Sequence, residues 1–168
     1  EVASTLIESN PEGAAAMAAV LAETAPGAAD NVMNTVAEIS PEAALEVAGA
    51  MAEANPMAAE GTAGSIAEMM PDLAVEAAGA MAEANPEVAA DIAAGMAEAQ
   101  PGIVGDIAGA MMEAAPDAAG DIAQGIAAAA PDQAADVATA MAEANPEMAA
   151  DIAGGMAVGD PGQAADIA

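Results

Sequence analysis

The chain contains no Lys, Arg, His, Cys, Phe, Tyr or Trp. Each absence removes a class of chemistry. Without His, Cys or Lys there is no ordinary nucleophile–base pair, no zinc site of the usual kind and no Schiff base. Without Lys or Arg there is nothing to clamp a phosphate. All 28 ionisable side chains are acidic, and the net charge of −28 repels DNA, RNA and anionic membranes. The missing aromatics leave no aromatic side chain to line a pocket. Acidic residues interrupt every apolar run well before the roughly 20 residues needed to span a bilayer, so membrane insertion is not expected. No signal-peptide pattern is visible, and the lack of Cys leaves the redox compartment open. These exclusions argue against an enzyme and against nucleic-acid partners.

What is present is regular. Of 168 residues, 56% are hydrophobic, mostly Ala with Met and small aliphatics, which argues against a disordered acidic chain. Prolines stand at 11, 26, 41, 56, 71, 86, 101, 116, 131, 146 and 161, always 15 residues apart, and the chain has no others. Counting each proline as phase 1, the unit reads Pro-acid-x-Ala-Ala-Asp-Ile-Ala-Gly-x-Met-Ala-Glu-Ala-Asn. The whole of 1–168 reads as a single repeat domain: a partial unit 1–10, units starting at 11, 26, 41, 56, 71, 86, 101, 116, 131 and 146, and a partial unit 161–168. Glu1 and Ala168 fall inside units, and neither end has the atypical composition of a solenoid cap. The expectation is a segment of a longer repeat chain, or a subunit completed by its neighbours.

Each unit predicts one short helix. Proline at N1 has a suitable fixed φ and gives up an N–H that would have no intrahelical partner. It also disfavours helical geometry in the residue before it. That preceding residue is a good N-cap type at Asn10, Ser40, Asn55, Asn85, Asn145 and Asp160. An acid at phase 2 suits the first turn. A helix of 11–12 residues and a connection of 3–4 would fill the unit.

On a helical wheel, phases 2, 6 and 13 fall within about 40° of one another, and they hold 25 of the 28 acids. The large apolar residues lie opposite. Phase 7 holds Val47, Ile92, Ile107, Ile122, Val137 and Ile152, and phase 11 holds Met51, Met81, Met96, Met111, Met141 and Met156. Ala and Gly form both flanks. A helix fit for water along one narrow stripe needs neighbours on its other three sides.

A second period doubles the first. Phase 10 alternates between Val20, Ala50, Ala80, Ala110, Ala140 and Thr5, Thr35, Ser65, Gly95, Gly125, Gly155. The predicted fold is therefore all-α: an α-solenoid of short helices, with 15-residue units pairing into 30-residue antiparallel helical repeats. In outline it resembles short HEAT-like α-solenoids. No residue motif ties it to that family, and the total absence of Lys and Arg departs from it.

Three constellations could carry a function. Stacked pairs would align carboxylates into ladders, Asp91, Asp121 and Asp151 in one layer and Asp106, Asp136 and Asp166 in the other. Such oxygen ligands suit weak surface binding of Ca²⁺, although a solvated face that keeps an Ala-rich array soluble needs no cation. A thioether row at phase 11 could hold Cu(I), but thioethers also fill a core that lacks aromatics. Thr5, Thr24, Thr35, Thr62 and Thr139 are too sparse for an ice-matching threonine array. No cofactor is expected beyond Ca²⁺ at the surface.

The sequence thus points to a non-catalytic, self-associating structural protein that builds a filament, sheath or surface layer. A chain with no Lys, Arg or aromatic residue resists trypsin- and chymotrypsin-like proteases, which suits an extracellular or cell-surface setting, although duplication of one ancestral unit would leave the same skewed composition. A surface divalent-cation-binding or mineral-templating module is the alternative, and an ice-binding protein is a more distant one.

Overall fold

The computed structural model describes residues 10–162, and every element among them is helical. We number the helices in chain order: α1 Pro11–Thr24, α2 Pro26–Ile39, α3 Pro41–Ala54, α4 Ala59–Met69, α5 Ala74–Ala84, α6 Ala89–Ala99, α7 Val104–Ala114, α8 Ala119–Ala129, α9 Pro131–Ala144 and α10 Ala149–Gly159. Six of them are entered through a 3₁₀ turn that begins at the proline, as in Pro86–Val88 before α6. The others are α-helical from the proline onward.

The helical part fills more of the unit than the spacing suggested. Only phase 15 is non-helical, where a connection of 3–4 residues was expected. Asn85 is extended (φ −144°, ψ 85°), and its amide still donates to the Met81 carbonyl at 3.0 Å, closing the last turn of α5. The next residue is proline, with φ already set for a helix. One extended residue therefore suffices to reverse the chain.

The helices form two layers. The odd-numbered helices stack side by side in layer A, α1 on α3, α3 on α5 and α5 on α7; the even-numbered helices do the same in layer B, α4 on α6, α6 on α8 and α8 on α10. Consecutive helices face each other across the layers. This is the 30-residue antiparallel repeat that phase 10 implied.

Between the layers lies a continuous apolar core. At phase 7, Val47, Ile92, Ile107 and Ile122 are fully buried, and at phase 11 so are Met81, Met96, Met111 and Met156. Ala at phases 4 and 8 fills the space between them, as at Ala74, Ala78, Ala89 and Ala93. Thr62, at phase 7 of α4, is the one buried polar side chain among the described residues. The methionines thus serve as core filling, and no row of exposed thioethers forms. Met57 stands apart, 99% exposed at a phase-2 position where most units place an acid.

Stacking is uneven. α2 leans on α1 and α3 and scarcely touches α4. At phase 10 of α4, Ser65 carries a Cβ where the well-stacked helices of layer B have Gly.

Candidate functional site

Two surfaces repeat along the molecule: the carboxylate rows and the seams between same-layer helices.

The rows come from phases 2, 6 and 13. Every carboxylate residue there whose side chain is described is exposed, including Glu42, Glu46 and Glu53 on one helix. Asp91, Asp121 and Asp151 stand exposed on α6, α8 and α10, all in layer B; Asp106 and Asp136 stand exposed on α7 and α9 in layer A. Asp166 lies outside the described residues. The ladders do not draw together, however: among the described residues no three acidic side chains come close enough to hold a metal ion between them. The spacing explains this, since each step to the next same-layer helix separates equivalent carboxylates by about 8–10 Å.

The seams hold the residues that sequence reasoning missed. Asn55, Asn85 and Gln100 do not cap the helices that follow them. Each reaches back instead to the same-layer helix before its own: Asn55 Nδ2 donates to the Ala22 carbonyl (2.7 Å), Asn85 Nδ2 to Ala52 (3.1 Å) and Gln100 Nε2 to Ala67 (3.1 Å). The acceptor is always the phase-12 carbonyl, and its orphan status is a direct product of the repeat. In a longer helix that oxygen would take the N–H four residues on. Here that residue is Pro26, Pro56 or Pro71, which has none. The side-chain amide satisfies what the proline leaves open, and it ties one repeat to the next. Asn145, also expected as a cap, makes no side-chain cap bond either. Two of the expected caps do form, Asn10 Oδ1 accepting from the Gly13 amide (3.0 Å) and Ser40 Oγ from the Ala43 amide (3.3 Å). Asp160 accepts from the Gly162 amide at 2.9 Å, in a local turn. The missing N–H at each proline was the signal from which these inter-repeat bonds could have been anticipated.

Glycine sets how close the seams run. In layer B, a Cβ built on Gly95 would fall on the Glu60 carbonyl oxygen, one on Gly125 on the Ala90 carbonyl and one on Gly155 on the Gly120 carbonyl. Backbone meets backbone there. In layer A the close approach shifts to phase 9 and is gentler: a Cβ on Gly49 would sit 3.3 Å from the Ala80 carbonyl oxygen, and one on Gly79 3.4 Å from that of Ala110.

Outside the seams run shallow grooves. One of about 430 Å³ lies between α3 and α5, lined by Leu45, Gly49, Ala80 and Ala84 and rimmed by Glu53 and Glu83. Another of about 430 Å³ lies between α9 and α10, lined by Ala135, Thr139, Ala142 and Ile152 among others. The linings offer methyl groups and carboxylates, which can exclude water or attract cations but supply no nucleophile with a partnered base.

The chain is thus an all-α, two-layer repeat solenoid with acidic outer faces. Comparison with protein-family profiles, with curated proteins and with solved structures gives no match. Among the described residues no helix is long and apolar enough to cross a membrane.

Proposed function

We propose that this chain is a non-catalytic structural protein whose solenoids associate end to end into a filament, sheath or layer, with an extracellular or cell-surface setting. The observation that carries this reading is the recurrence of one stacking relation. In both layers a helix docks by its phase-10 and phase-14 flank on phases 5, 9 and 12 of the helix two before it, closely at most seams and loosely at α2–α4 and α7–α9. Such heterologous contacts do not close on themselves, and without closure they build fibres. A flank carries an apolar side chain in keeping with this role: Val20, at phase 10 of α1, is 61% exposed. The acidic rows then have the task of repelling sideways contact while the flanks mediate axial contact.

Negative-stain electron microscopy with analytical ultracentrifugation tests the proposal. Filaments or concentration-dependent longer species are expected at physiological salt, and Val20→Glu is expected to suppress them without loss of helicity. Monomers alone at every concentration and ionic strength would overturn it.

A further inference from the structure

One seam departs from the others. Between α7 and α9, contact is sparse compared with the preceding layer-A seams. A Cβ built on Gly109 meets nothing, although Gly49 and Gly79 at the same phase lie against the next helix. Gly105 and Gly109 are both exposed. Asn145 occupies the position from which Asn55 and Asn85 donate to a phase-12 carbonyl, yet no such bond to Met112 forms. A groove of about 370 Å³ fills the gap, lined by Gly105, Gly109, Met112, Ala140, Met141 and Asn145 among others.

Two residues of α7 account for the gap. Phase 12 is Ala22, Ala52, Ala82 and Ala142 in the other layer-A helices but Met112 here, and the Met112 side chain is only 6% exposed. It acts as a wedge in the seam. Phase 5 is Leu45 and Val75 in the two preceding layer-A helices but Gly105 here, which leaves unfilled the space those side chains occupy. Directly across the molecule, α8 and α10 form a close seam in which Gly120, Gly155 and Gly159 lie against backbone or would place a Cβ on a carbonyl oxygen. One side is therefore wedged open while the other is pinned.

We infer that the α7–α9 seam is a hinge built into the solenoid, with the α8–α10 seam as its pivot. In the closed form Gly109 meets the Ala140 carbonyl and Asn145 donates to the Met112 carbonyl, as the equivalent residues do at the α3–α5 seam. The open form is the one described above. Both forms keep the same core, so they differ only in contacts at a single seam, the kind of small difference on which two-state elements depend. Closing brings Asp106 and Glu113 of α7 toward Asp136 and Glu143 of α9, all four exposed. Their repulsion favours the open form, and salt relieves it.

The chain has no cysteine, so pairs of spin labels can be placed cleanly. Gly102→Cys with Asp132→Cys spans the hinge and leaves those four carboxylates in place, and Glu42→Cys with Asp72→Cys spans the equivalent α3–α5 seam. Electron–electron distance measurements should give a narrow distribution for the reference pair. The hinge pair should be broader and longer at low salt and move toward the reference distance at high salt. In a Met112→Ala, Gly105→Val background, whose helicity is checked by circular dichroism, the hinge pair should match the reference at either salt. If that background fails to fold, the salt titration decides alone. A hinge pair that coincides with the reference at low salt, or that stays long regardless of salt, overturns the inference.

Discussion

Layers A and B stack the same unit, but they place the critical glycine differently. In layer B it stands at phase 10, and Gly95, Gly125 and Gly155 let a neighbouring carbonyl enter space that a Cβ would occupy. In layer A phase 10 is Ala50, Ala80 or Ala110, and glycine at phase 9 gives a milder approach, 3.3 Å from a built Cβ to the facing carbonyl oxygen at Gly49 and 3.4 Å at Gly79. Layer A makes up part of the difference with Leu45 and Val75 at phase 5 and with the amides of Asn55 and Asn85. Where those compensations lapse, at Gly105 and Met112, the layer-A seam opens. Where layer B loses its glycine, at Ser65, α2 and α4 hardly touch. Close packing here depends on one small position per repeat, and the two layers tolerate its loss to different degrees.

Substitutions that break this contrast should do so in order of size. Adding a methyl at Gly125 forces α6 and α8 apart, and overpacking of this kind costs about 1–3 kcal/mol. That outweighs the ~1 kcal/mol that Ala gains over Gly in a helix. Gly125→Ala should therefore lower the thermal midpoint clearly, while Gly79→Ala should leave it nearly unchanged. Equal effects at the two sites would remove the distinction between the layers. Because the chain has no Trp or Tyr, far-ultraviolet circular dichroism is the readout.

Next in size is the inter-repeat amide. Asn85→Ala removes the donor to the Ala52 carbonyl and should cost about 1–2 kcal/mol in urea unfolding. Asn145→Ala, at the open seam, should cost much less. Comparable losses would mean that the Asn85 bond contributes little.

A gain should follow where the amide is missing. Ala115→Asn places a donor within the same register of the Ala82 carbonyl, whose helical partner would have been Pro86. Up to about 1 kcal/mol of stabilisation is expected, and a crystal structure would confirm the bond at Asn-to-carbonyl distance.

The smallest expected effect separates seam glycines from incidental ones. Gly61 is exposed in α4, and a Cβ there meets nothing. Gly61→Ala should stabilise by about 0.5–1 kcal/mol, opposite in sign to Gly125→Ala in the same layer. A loss at Gly61 would mean that layer B resists any added bulk, whatever its position.

Much of this architecture was legible because it is written in periodic chemistry. Ile92 and Met96 had to face a core, Glu98 had to face water, and the alternation of Ala80 with Gly95 announced two kinds of helix. The exposed layer-B row of Asp91, Asp121 and Asp151 was likewise readable from phase alone. What escaped was set by contacts between units. Asn85 stands before a proline, and local chemistry reads such a residue as a cap. Its true partner, the Ala52 carbonyl, comes within reach only through the register of two stacked helices. The opening at α7 was visible as two departures from the repeat, Gly105 and Met112. Their meaning depends on which flank faces α9, and a wheel does not specify that.

The inter-repeat bonds also limit how far along the chain any part must search for its partners. Asn85 reaches back 33 residues, and Gly125 meets a carbonyl 35 residues behind it. Each new helix thus docks on surface made only two helices earlier. Chains dominated by such local contacts fold quickly, and here the search distance does not grow with the number of repeats. Lengthening the array adds stability without lengthening the search, so a growing chain can fold behind its own synthesis, one helix at a time.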